Sequence, residues 1–142
     1  VYKRQVVERE KEFSSQIGGL TFKGRIDRID QNETDTLVLD YKSGSTQEAQ
    51  KTKNIEELNE LQMSIYHQML SDKYQNISLA FVKLFENGEI EEITKLEEKN
   101  ERLFEVIIAL KQTKSFTASK CEALQKCKFC EYQLMCERGE YL

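Results

Sequence analysis

An α/β domain, a mixed β-sheet flanked by helices and followed by a cysteine-rich tail, is what this sequence predicts, on three observations. Residues 2–42 show strand-like alternation broken by turn residues. Residues 54–71 and 96–111 place apolar side chains at helical spacing, and residues 77–85 form a nearly unbroken apolar run. The 142 residues fit a single hydrophobic core. We read residues 1–112 as the body of the domain and residues 113–142 as a lysine- and cysteine-bearing tail of the same domain.

The elements follow in order. Residues 2–13 predict a first strand, and Gly18-Gly19 a turn into a second from Leu20 to Ile29, so the two pair as a hairpin. Leu37 to Lys42 is a third strand by its β-branched and aromatic content, ended by Ser43-Gly44-Ser45. Asn54 with Glu57 resembles a capping box that opens a helix running to Ser71, with Ile55, Leu58, Ile65 and Met69 on one face. Ile77 to Phe85 reads as a strand covered on both faces, and Asn87-Gly88 as a tight hairpin turn into Glu89–Ile93. Leu96, Leu103, Phe104, Ile107 and Ile108 mark a second helix that ends near Lys111.

Composition excludes several classes. No apolar run approaches the roughly 20 residues of a bilayer-spanning helix, so no membrane association is expected. The net charge of −4 argues against a generic basic nucleic-acid coat. Charge is uneven, however. Residues 86–105 are strongly acidic and read as a solvated face, whereas residues 111–128 carry Lys111, Lys114, Lys120, Lys126 and Lys128 against Glu122 alone, where a polyanion could be met. The N-terminal residues lack the cationic, apolar and small-residue succession of a secretory signal, and a chain starting at Val1 reads as a fragment. A cytoplasmic, reducing location is expected, because the four cysteines crowd into the last 22 residues rather than spreading as a disulfide framework. No phosphate-binding loop of the G-x-x-x-x-G-K type is present, so any helicase motor would lie elsewhere.

Two strands each carry an acid among apolar neighbours, Asp27 in Gly24-Arg25-Ile26-Asp27-Arg28-Ile29-Asp30 and Asp40 in Leu39-Asp40-Tyr41-Lys42. Strand alternation puts Asp40 and Lys42 on one face, about 7 Å apart at their backbones. If Asp27 faces them from a neighbouring strand, two carboxylates and an amine converge on a site suited to a hard divalent cation and a phosphodiester. The competing reading is a pair of surface ion pairs worth under about 1 kcal/mol each. Gln62 interrupts the apolar face of the first helix and so needs a polar partner, and Tyr66, four residues on, shares that face. The competing reading there is a satisfied core glutamine beside a packing tyrosine.

These segments, taken in this order with Gln62-Met63-Ser64-Ile65-Tyr66, resemble the motifs of the PD-(D/E)XK nuclease superfamily, most closely its RecB-like branch with the AddB-type nuclease domains and the CRISPR-adaptation exonucleases. The resemblance implies a restriction-endonuclease-like fold and a DNA nuclease, with exonuclease action inside a helicase-nuclease of DNA recombination and repair. It implies that Asp27, Asp40 and the backbone carbonyl of Tyr41 hold Mg or Mn, and that Lys42 orients water or stabilises developing charge. Gln62 and Tyr66 would position the lysine or the DNA backbone. Glu8 and Glu12 are alternative candidates for a further acidic ligand on the first strand, and Arg25, Arg28, Lys126 and Lys128 are candidates for DNA binding. DNA and a helicase subunit or domain are the partners implied. Many RecB-like nucleases carry an upstream histidine; the sole histidine, His67, follows the Gln-Tyr motif and is read as a surface residue. The rival from another class is a catalytically inactive DNA-binding or scaffold domain that keeps the fold.

The tail holds Cys127, Cys130 and Cys136 as C-x2-C-x5-C, with Cys121 upstream. Four thiolates so grouped suit zinc or an iron-sulfur cluster, and a single C-x2-C pair favours the cluster over a zinc ribbon. The tail resembles the cysteine triplet of AddB-type nucleases, which implies a 4Fe-4S cluster whose fourth ligand is either Cys121 or a cysteine outside this chain.

Overall fold

The computed structural model describes residues 4–46, 60–115 and 130–136. They fall into two compact units, residues 1–112 and 113–142. The first holds β1 (Gln5–Ile17), β2 (Leu20–Gln31), β3 (Thr36–Lys42), α1 (Gln62–Leu70), β4 (Ile77–Lys83), β5 (Glu89–Glu92) and α2 (Leu96–Gln112), the predicted order. The strands form one sheet in the order β1-β2-β3-β4-β5. Only β3 and β4 run parallel, and the chain between them contains α1, so the sheet is mixed as expected. Among the described residues no helix is long and apolar enough to cross a membrane.

Alternation decides what each strand buries. Val38 of β3 joins Ile29, Leu79 and Phe81 in a core shared with Met63, Met69 and Leu70 of α1 and Leu103 and Ile107 of α2. Leu37 and Leu39, one residue to either side, point to the opposite face and cluster with Ala80. Each such fully buried aliphatic or aromatic side chain contributes about 1.5–3 kcal/mol. β3 and β4 are thus covered on both faces, which accounts for their unbroken apolar sequences.

Several boundaries differ from the sequence reading. β1 continues past residue 13 to Ile17, because Ser14, Ser15 and Gln16, which look loop-like alone, stay in register with Lys23, Phe22 and Thr21. The Gln16 side chain bonds the Thr21 hydroxyl at 2.6 Å. Gly18 and Gly19 adopt φ of 57° and 81°, the doubly left-handed turn that two-residue hairpins favour. The β4–β5 connection is not a two-residue turn. β4 stops at Lys83, which pairs with Glu89, leaving a five-residue loop, Leu84 to Gly88, in which Asn87 and Gly88 are left-handed. The predicted start of the first helix at Asn54 lies outside the described residues. Glu60 and Leu61 are not helical, and the Glu60 carboxylate accepts the first free amide of α1, that of Gln62, at 2.8 Å. On α2, Leu103 and Ile107 carry the burial, while Phe104 and Ile108, each about 100° further round the helix, are exposed.

In the second unit, Cys130 to Cys136 form a short turn in which the Gln133 amide bonds the Cys130 carbonyl at 3.2 Å and the Cys136 amide the Tyr132 carbonyl at 3.1 Å. Both thiols are free and partly exposed. Cys121, Cys127, Lys126 and Lys128 lie outside the described residues.

Candidate active site

The site forms where β2 parts from β3. Their last paired residues are Arg28 and Leu39, and beyond them the Asp27 side chain replaces the backbone ladder by accepting the Tyr41 amide at 2.9 Å. Asp27 is thereby held beside Asp40. Asp40 is 4% exposed, and its Oδ2 lies 2.8 Å from the Lys42 ammonium. The pairing follows from β3 alternation, which also sends Lys42 over the Phe81 ring of β4, 5.4 Å from its centre.

Helix α1 supplies the connecting groups. Gln62 donates from Nε2 to Asp40 Oδ1 at 3.0 Å and to the Tyr66 hydroxyl at 2.9 Å, while its Oε1 accepts from Lys42 at 2.7 Å. Both amide hydrogens and the carbonyl are therefore committed. The Tyr66 hydroxyl in turn donates to the Arg25 carbonyl at 2.9 Å, tying the helix to β2. Gly24 makes that approach possible, since a Cβ there would sit 3.2 Å from Tyr66 Cε1. Asp27, Asp40, Lys42, Gln62 and Tyr66, separated by up to 39 residues, form one constellation.

Burial pushes the Asp40 carboxyl above the usual carboxylate range; Lys42 pulls it back, and the charges of Asp27 and Glu60 add to the rise. Burial likewise raises the Tyr66 phenol, so it stays a donor at neutral pH. Asp40 Oδ2 is shielded from solvent and, although beside Lys42, receives no hydrogen bond of good alignment. A desolvated carboxylate oxygen in contact only with the Lys42 ammonium, a second carboxylate on the neighbouring strand and the Tyr41 carbonyl make a hard, all-oxygen set that fits a divalent cation such as Mg or Mn. Among the described residues no three acidic, histidine or cysteine side chains stand close enough to hold an ion by themselves.

Other candidates are placed differently. Neither Glu8 nor Glu12 lines the cleft that holds Asp27. Glu8 pairs with Lys11, and Glu12 lies opposite Arg25 in a separate cleft beside Lys23. The β1 acid that shares a cleft with Asp27 is Glu10, which stands in the left-handed region at φ 45°. No sequence signal separates Glu10 from its neighbours, because the backbone irregularity that distinguishes it is tertiary. Arg28 is committed to the fully buried Asp30 through two bonds of 2.6 and 2.7 Å; these, followed by a bond to Tyr41, hold its proton more tightly than usual. Arg25 offers its carbonyl to Tyr66 and keeps its side chain exposed. His67 is half-buried rather than on the surface: Asn100 of α2 faces its Nδ1 at 3.2 Å and Gln68 at 3.4 Å.

The sheet order and this constellation define a restriction-endonuclease-like α/β domain, and comparison with known proteins agrees. A model of the PD-(D/E)XK nuclease superfamily matches residues 1–137, and the chain belongs to that superfamily. Among solved structures it is similar to one titled "Crystal structure of SSO0001", at 20% identity and a TM-score of 0.42, over 91% of this chain and 59% of that one. No curated protein matches it.

Proposed function

We propose that the chain is the nuclease domain of a metal-dependent deoxyribonuclease that hydrolyses phosphodiester bonds, acting as an exonuclease within a cytoplasmic helicase-nuclease of recombination and repair. The observation that carries the chemistry is the closed set of bonds joining Asp40, Lys42, Gln62 and Tyr66 beside Asp27. The RecB-like and AddB-type assignment, the exonuclease mode and the helicase partner rest on the order of the motifs in the sequence.

The residues divide the work. Asp27, Asp40 and the Tyr41 carbonyl would hold Mg or Mn. Such an ion, when bound, supplies Lewis-acid stabilisation of phosphate charge and a water of lowered pKa. Lys42, 28% exposed at its side chain, has one ammonium hydrogen on Gln62 and a second directed at Asp40, which leaves a third for an incoming water or phosphate oxygen. Its task is to orient that oxygen and to stabilise charge that develops there. Gln62 fixes the lysine and the carboxylate at once, and Tyr66 fixes Gln62, so neither group reorganises when substrate arrives. Cys127, Cys130 and Cys136 would hold a 4Fe-4S cluster together with Cys121 or a cysteine outside this chain.

A nuclease assay on end-labelled single- and double-stranded DNA with Mg, Mn and EDTA tests the reading. Cleavage should need the metal and disappear in Asp40→Ala. Binding without cleavage in any metal would instead identify a scaffold domain that has kept the fold.

A further inference from the structure

The candidate active site borders a second lysine that its chemistry does not use. Phe81 of β4 lies opposite Asp40 of β3 on one side and opposite Glu91 of β5 on the other, so the three form one row across the sheet. Two residues further along, Lys42 and Lys83 are partners in the parallel ladder. Alternation puts their side chains on one face, with backbones about 5 Å apart. Both line the same cleft of about 340 Å³, together with Ser43, Thr46 and Glu86.

Lys83 therefore stands diagonal to two carboxylates, Asp40 on one neighbouring strand and Glu91 on the other. It sits on Glu91, at 3.2 Å, while Lys42 sits on Asp40, at 2.8 Å. Each ammonium has its own acid. Glu91 is itself held in place, because the oxygen that meets Lys83 also accepts the Thr46 hydroxyl. Thr46 is 7% exposed, at the end of a loop in which Ser43, Gly44 and Ser45 are all exposed. Glu86 also reaches Lys83, at 3.3 Å, but from a side chain 61% exposed, where solvent screening leaves an ion pair weak.

Asp40 cannot serve both lysines. A carboxylate offers about four acceptor directions, and Gln62 and Lys42 each take one. A second ammonium would occupy directions that a divalent cation needs and would repel Lys42 from its place. We propose that Glu91 is a positioning residue of the candidate active site: it keeps the Lys83 ammonium off Asp40 and so leaves that carboxylate to Lys42 and the divalent cation. This inference rests on the metal-nuclease reading and deepens it by adding a residue that acts only through Lys83.

The test is a double-mutant cycle on the full chain, with Mn affinity read from the electron paramagnetic resonance of free Mn and with single-turnover cleavage of end-labelled DNA in Mn. Glu91→Gln keeps an acceptor for Thr46 and gives up only the charge, and it should bind Mn and cleave about three- to tenfold worse than wild type. Lys83→Met should change both by less than about twofold on its own, yet restore most of the loss in the Glu91→Gln background. Equal effects of Lys83→Met in the two backgrounds would reduce Lys83 to a long-range charge and overturn the proposal. So would wild-type behaviour of Glu91→Gln, or a drop in its urea midpoint that Lys83→Met fails to recover, which would make Glu91 merely structural. A chain that shows the coupling in Mn binding yet cleaves nothing would sink the nuclease reading and leave the positioning role standing, whereas normal cleavage without coupling would do the reverse.

Discussion

Lys42 touches two groups of the candidate site, the buried Asp40 carboxylate at 2.8 Å and the Gln62 carbonyl at 2.7 Å. If its ammonium acts on charge that grows during reaction, removing it weakens the transition state more than the bound substrate. Lys42→Ala should then lower kcat by about a hundredfold or more while changing Kd for DNA by only a few-fold. Single-turnover rates and binding isotherms on the same oligonucleotide separate the two, and equal losses would contradict the role. Much of this was legible residue by residue. Asp40 and Lys42 share a face because strand alternation demands it, and Gln62 announced a partner because a polar group on an apolar helix face requires one. The position of Glu10 was not legible, since three nearby glutamates on one strand look alike until a left-handed backbone singles one out.

At the scale of elements, the sheet was readable wherever periodicity alone sets the strand, and misread where pairing overrides local composition. The Ser14-Ser15-Gln16 segment is strand only because residues 21–23 complete its ladder, and the β4–β5 loop is long because β4 ends at Lys83 rather than at the apolar Phe85. Gly18 shows how tightly the hairpin meets α2. A Cβ there would lie 2.7 Å from Ile107 Cγ2 while the backbone holds φ 57°. Gly18→Ala should therefore cost about 2–4 kcal/mol, combining left-handed strain with overpacking, visible as a lower urea midpoint. An unchanged midpoint would show that the hairpin and helix part freely. The α1–α2 contact carries a titration. Burial lowers the His67 pKa, and amide groups of Asn100 and Gln68 face its Nδ1. A depressed histidine pKa means that the unfolded state binds the proton first. The stability tied to neutral His67 is therefore full above the ordinary value of about 6.5 and falls as pH drops through it, until the folded-state pKa is passed. Denaturant midpoints from pH 8 to 5 should decline more steeply in wild type than in His67→Gln, and parallel curves would exclude His67 as the source.

For the whole molecule, the division at residue 112 leaves a small second unit, to which the proposed cysteine cluster would contribute stability. Chain segments below roughly 40 residues rarely bury enough surface to hold themselves and turn to disulfides or metals. The second unit spans only residues 113–142 and exposes Tyr132, Leu134 and Met135. The cluster proposed for these cysteines would supply such a cross-link through a metal. Chain purified anaerobically should therefore carry iron and inorganic sulfide, absorb broadly in the visible, and lose both on Cys130→Ser or Cys136→Ser. Protease cutting within residues 113–142 should then increase. A colourless preparation with stoichiometric zinc would replace the cluster with a zinc site. A colourless one with four titratable thiols and an unchanged digestion pattern would show that the tail is held by something other than metal.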